Sequence, residues 1–244
     1  VLTPELIPAQ AGRGRGLARG LAVGGTVAAL SAVAIIAVLD LVPAIGLINP
    51  VRRTISEHAL GPNRVVYDIA LLLLALGSLA ILAALERGGL VRFRSVGAVM
   101  LDLWSAGLTV VVLFPKHNWA VGPSLSGDIH RVGSIVAFLS LPVAVLLIAR
   151  RWLRDERWGV HARRTRALGV LAVLSFAPVV YVLVYAMAVG GSWWQVLPLG
   201  VIERLLALCE VVAVVGVGGW AIASTRPAVA EPFRSPLDTP APIE

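Results

Sequence analysis

Three of the four histidines in this chain, His58, His117 and His130, share a small set of loops and helix ends with Ser56, Glu57, Asp68 and Asp128. Imidazole nitrogens and carboxylate oxygens are the usual ligands of zinc, and a zinc-bound water can attack an ester or amide at neutral pH. Read in that way, His58, His117 and His130 are the metal ligands, with Asp68 or Asp128 beside them and Ser56 supporting the oxyanion. The spacing is a weak signature. No two histidines stand four residues apart, the separation that places both on one turn of helix facing a metal.

A second chemistry is carried by acids inside apolar runs. Asp102 lies about two turns into one run, and Glu210 lies near the middle of another. Glu203 and Glu210 are seven residues apart, so they share one helix face about 10 Å apart along the axis. An unpaired carboxylate in hydrocarbon is costly, so both deep acids are expected to be protonated or hydrogen-bonded. Expected partners are Ser105, Ser140, Ser175, Tyr181 and Tyr185. Such acids suit a proton-coupled carrier as well as they suit bonds between helices.

The elements that must position these groups are six apolar stretches, about Leu21–Val42, Val65–Leu85, Val96–Phe114, Val132–Ala149, Ala167–Val189 and Leu199–Ala223. A hydrocarbon core of about 30 Å needs about 20 residues of helix, because each backbone amide must be satisfied within its own segment. The chain of 244 residues is 58% hydrophobic. It reads as an all-α membrane protein, a bundle of six transmembrane helices spanning 17–223 between disordered cytoplasmic tails at 1–16 and 224–244. No stretch remains for a soluble catalytic domain.

A formal charge of +7 raises the question of nucleic acid. The basic residues sit in short loops, where membrane topology and anionic lipid account for them, so membrane lipid is the expected partner and nucleic acid is not. Fifteen arginines lie on the side of the two termini, against five arginines and Lys116 on the other. That bias places both ends in the cytoplasm and predicts a multi-pass protein of the cell membrane, the inner membrane of a bacterium. Trp152, Trp158 and Trp220 are then expected at the inner interface, and Trp119, Trp193 and Trp194 at the outer one. The single cysteine, Cys209, lies within the sixth stretch, where a lone thiol packs as a small apolar group.

On this topology Ser56, Glu57, His58, Asp68, Asp128, His130, Glu203 and Arg204 gather at the extracytoplasmic ends of the helices, and they form the candidate polar site. Arg204 or Arg131 is expected to hold an anionic headgroup there. Simpler roles exist for single members. Thr54-Ile-Ser-Glu57 fits a capping box that opens a short helix, and Asp128 stands where it could cap the fourth span. Pro142 and Pro178 predict kinks, and Gly24, Gly25, Gly216 and Gly219 predict close helix contacts.

Ile55-Ser56-Glu57-His58-Ala59-Leu60-Gly61, Phe114-Pro115 and Gly127-Asp128-Ile129-His130 together resemble the bacterial six-span family catalogued as domain of unknown function 998. The resemblance runs from about Leu21 to Ala223 and marks Ser56, Glu57, Pro115 and His130. It implies a fold and a set of residues, and it carries no activity. The hydrolase reading bears a distant resemblance to the seven-span alkaline-ceramidase and adipose-receptor superfamily. That group has a His-x-x-x-His pair on its last helix, where this chain has Glu203 and Glu210. Three readings therefore stand together: a protein whose polar cluster binds a lipid headgroup or partner, a zinc-dependent lipid hydrolase embedded in the membrane, and a proton-coupled carrier using Asp102 and Glu210.

Overall fold

A computed structural model describes residues 6–42, 48–118, 120–189 and 198–226. Among them the chain forms α1 (Leu6–Leu41), a short 3-10 helix (Ile55–Leu60), α2 (Arg64–Arg87), α3 (Val96–Leu113), α4 (Leu125–Arg150), α5 (Gly159–Leu174), α6 (Ala177–Val189) and α7 (Leu199–Ser224). Six segments are long and apolar enough to cross a membrane: Gly14–Leu41, Arg64–Arg87, Val96–Leu113, Leu125–Arg150, Gly159–Tyr185 and Leu199–Ser224. The protein is a multi-pass all-α membrane protein. The expected inner and outer placement of its ends remains a reading of the arginine bias. Residues 1–5 and 227–244 of the two expected tails lie outside the described residues.

Packing runs in pairs. α1 lies along α2, α3 along α4, and α7 closes the ring against α1, α4 and α5. Two close crossings hold the pairs together. A Cβ on Gly25 would come within 2.4 Å of the Gly77 carbonyl oxygen, and one on Gly107 within 2.7 Å of that of Gly133. Helices that cannot rely on water to drive them together gain by such backbone approach. Gly216 likewise admits Leu168, whereas Gly24 and Gly219 face open space, so only two of the four expected small-residue contacts form. Trp104, Leu85, Leu141, Val145, Val214 and Trp220 fill the centre. Val27, Leu76, Leu139 and Val180 are exposed on the periphery, where lipid takes the place of core.

The proline expectations resolve into two situations. Pro142 sits inside a continuous α4. Pro178 sits in the first turn of α6, beyond the turn at Ser175 and Phe176 that separates α5 from α6. At that position its missing N–H interrupts no helical bond. Two capping expectations are corrected. α4 begins at Leu125 because Ser124 is its N-cap, its hydroxyl accepting from the Gly127 amide, so Asp128 lies in the first turn. Thr54 precedes the 3-10 helix, but its hydroxyl makes no cap bond and instead engages Ser56 and Lys116. Of the tryptophans, Trp220 is buried between helices near the C-terminal end of α7. Trp119, Trp193 and Trp194 lie outside the described residues.

Candidate functional site

The C-terminal end of α1, the 3-10 helix and the N-terminal ends of α2 and α7 converge at one end of the bundle. Beneath them lies a cavity of about 340 Å³ between α1, α2, α3, α4 and α7. Its walls are apolar, formed by residues such as Ile36, Leu71, Leu74, Trp104, Leu108 and Val211. Polar side chains collect at the end nearest the loops: Asp40, Ser56, Tyr67, His130, Glu203 and Arg204. Leu41 and Leu208, which also line it, are exposed, so the cavity communicates with the surface of the bundle.

The strongest electrostatic feature is the pair between Arg204 on α7 and Asp40 on α1. Nε donates to one carboxylate oxygen at 2.7 Å and Nη2 to the other at 2.6 Å, a two-pronged geometry that lysine cannot reproduce. The remaining nitrogen, Nη1, reaches the carbonyls of Pro50, Arg53 and Gly200. Gly200 makes this possible, since a Cβ there would stand 2.3 Å from the Pro50 oxygen and 2.4 Å from that of Arg53. His58, almost fully buried, lies 3.1 Å from the same Asp40. Arg204 thus spends most of its protons on Asp40 and backbone carbonyls, and Arg131, the other cation expected to hold a headgroup, lies beside Asp128.

Around this pair the short helix is pinned from several sides. Glu203 accepts the Ile55 amide. Glu57 lies 3.1 Å from Arg53 and 3.6 Å from Lys116, and Lys116 donates to Thr54 at 2.7 Å. The Glu57–Arg53 contact is largely exposed and contributes little, while Lys116 is mostly buried and ties the end of α3 to the short helix. His130 meets the Phe114 carbonyl through Nδ1 at 2.8 Å, and Ser134 donates back to the His130 carbonyl. Further from the bundle axis, His117 accepts the Ser124 amide at Nδ1 and lies 3.4 Å from Asp128 through Nε2. Its ring occupies space that any side chain on Gly127 would fill, which explains the glycine in that turn.

The eight candidate residues therefore separate. Ser56, His130, Glu203 and Arg204 line the cavity. His58 stands behind them, paired with the lining Asp40, while Glu57 pairs with Arg53 and Lys116, which do not line the cavity. Asp128 is exposed beside His117 and Arg131, and Asp68 pairs with Arg64 at 3.4 Å on the flank of α2. The three histidines serve separate loops, and among the described residues no group of three His, Cys, Asp or Glu side chains is placed to hold a metal ion. The two deep acids also part company. Asp102 is exposed on the side of α3, whereas Glu210 is fully buried with neither oxygen hydrogen-bonded. Ser105 and Ser175, their expected partners, bond carbonyls of their own helices, and Tyr181 and Tyr185 are exposed and stacked on each other.

Four members of the site were not among the candidates: Asp40, Tyr67, Trp104 and Ser134. Asp40 had a signal in the sequence, a lone acid within the last turn of an apolar run. Tyr67 and Trp104 had none, because an aromatic residue in a span ordinarily packs. Trp104 donates from Nε1 to Ser78, whose hydroxyl passes on to the Leu74 carbonyl, and this chain fixes the indole against the cavity wall.

No curated protein and no solved structure matches the chain. A family model does match, over residues 26–220, a range that includes all six spans in whole or large part and every residue lining the cavity. The chain belongs to the family described as Protein of unknown function (DUF998).

Proposed function

We propose that this protein is a membrane-embedded binding protein whose cavity holds a lipid-like amphiphile, its chain among the apolar walls and its head at the Asp40–Arg204 end. The single observation that carries this reading is the cavity itself: about 340 Å³, apolar along its length, with its polar groups confined to one end. Ligand sites of that size typically combine apolar walls with a few placed polar groups. Exposed Leu41 and Leu208 among the lining residues support access from the surrounding bilayer. The arginine bias of the sequence supports a cell-membrane setting in which the polar end faces away from the cytoplasm.

Binding is favoured over hydrolysis by the chemistry of the lining. Among the described lining residues His130 is the only imidazole, and Ser134 is hydrogen-bonded to a carbonyl of its own helix rather than to that ring. Native mass spectrometry of protein released from nanodiscs tests the reading. The expected result is a retained amphiphile on the wild type that is lost when the cavity is filled by Ala207→Phe. A wild type free of bound amphiphile, or an Ala207→Phe variant that retains the same one, would overturn it.

A further inference from the structure

We infer that the cavity takes amphiphiles whose heads donate hydrogen bonds, ammonium or hydroxyl, with Glu203 as their acceptor, and that it turns away phosphate and carboxylate heads. This rests on the reading of the cavity as an amphiphile site and adds the chemistry of the head.

The argument is a count of donors and acceptors. Arg204 is the one cation among the lining residues. Its Nε and Nη2 grip Asp40, and Nη1 serves the carbonyls of Pro50, Arg53 and Gly200. Of the five guanidinium protons only the second on Nη2 lacks an acceptor among the described residues, so an anionic head would find one donor there, beside the Asp40 carboxylate, and could gain more only by displacing that carboxylate or stripping backbone carbonyls of their donor. Two neighbouring cations are also engaged, Lys116 by Thr54 and Glu57 and Arg53 by Glu57. Two carboxyl groups line the cavity, Asp40 and Glu203, against the single guanidinium of Arg204, which is already paired with Asp40.

What remains accepts. One Glu203 oxygen receives the Ile55 amide, and a carboxylate has lone pairs for several further donors. His130 is occupied by the backbone, its Nδ1 at the Phe114 carbonyl and its ring also bonded at Val111, and it offers no cation for an anionic head. Ser134 spends its proton on the His130 carbonyl and keeps acceptor capacity. Ser56 and Tyr67 can serve in either sense. An ammonium or a glycerol hydroxyl fits such a surface, and a phosphate does not.

The test uses the full chain in phosphatidylcholine nanodiscs and three photoreactive amphiphiles that share one diazirine-bearing alkyl chain. Their heads are a primary amine, a glycerol and a phosphate, and labelled peptides are mapped by mass spectrometry. The expected result is labelling of the cavity-lining segments of α2 and α7 by the amine and the glycerol at least tenfold above the phosphate. Glu203→Gln should lower the amine signal about tenfold and leave the glycerol signal within twofold. Phosphate labelling equal to the other two, or an amine signal unchanged in Glu203→Gln, would overturn the inference while leaving the amphiphile reading intact. Labelling by all three that persists undiminished in Ala207→Phe would place the probes on the lipid-facing surface and overturn both. If Glu203→Gln fails to fold, competition between the unlabelled amine and phosphate compounds on the wild type makes the same comparison.

Discussion

Arg204 and Asp40 meet side-on across 164 positions of sequence, with nitrogen–oxygen distances of 2.7 and 2.6 Å, and their union joins the last span of the bundle to the first. Both side chains are largely shielded, at 19% and 9% exposure, so neither charge has water to fall back on. Removing Asp40 takes the guanidinium's carboxylate away, and removing Arg204 leaves Asp40 with His58 alone.

Arg204→Ala should therefore destabilise the fold by about 3–5 kcal/mol, the usual cost of breaking a buried pair by removing one member. Arg204→Lys should recover only part of that loss, because an ammonium cannot grip both oxygens and also reach three carbonyls. Thermal unfolding in a mild detergent should rank wild type above Arg204→Lys, and Arg204→Lys above Arg204→Ala. Equal midpoints for the two variants would show that charge alone suffices.

A pair of glycine substitutions on α7 should behave in opposite ways. Gly200→Ala drives a methyl group into the carbonyls of Pro50 and Arg53, backbone atoms that cannot swing aside, and should cost about 1–3 kcal/mol. Gly219→Ala meets open space and should be neutral or stabilise by up to about 1 kcal/mol through helix propensity. The two unfolding midpoints, measured side by side, check this.

Glu210 offers a different contrast. It is fully buried on α7, and neither oxygen has a hydrogen-bond partner. Replacing an unsatisfied polar group by an apolar one of similar volume removes a cost, so Glu210→Leu should raise stability by about 1 kcal/mol or more. A marked fall in the unfolding midpoint would show that the carboxyl has a partner in the membrane.

Trp104 should report on the cavity. Its indole lines the wall and is held by Ser78 at 3.1 Å. An amphiphile carrying bromine along its chain should quench wild-type tryptophan emission more strongly than that of Trp104→Phe. The substitution itself should cost about 1 kcal/mol, since Ser78 keeps its bond to the Leu74 carbonyl. Identical quenching in the two proteins would place the bromines elsewhere.

The spans were legible because lipid imposes a length on any apolar helix, and all six end within about four residues of the expected C-terminal boundaries. The start of the fourth was read late, at Val132, because hydropathy is blind to the polar first turns in which Asp128, His130 and Arg131 already lie on the helix that Ser124 caps. The short helix at Ile55–Leu60 was readable from its local pattern, although its expected capping box did not form. The partners of Asp40 were not readable. Which spans become neighbours, and which way each is rotated, depends on contacts such as Gly25 with Gly77, and a hydropathy profile carries no such phase. Asp102 shows the same limit: its depth was correct, but its rotation put it on the outside of the bundle.

The three carbonyls that Arg204 satisfies have a consequence for how this end of the molecule meets its surroundings. Irregular backbone normally stays hydrated, because its oxygens need a proton donor and water is the nearest supply. Here one guanidinium furnishes that supply from inside the protein, to Pro50 and Arg53 as well as to the first turn of its own helix. Those two oxygens thus have a donor that does not depend on water, even though the side chains of Arg52 and Arg53 on the same segment stay exposed.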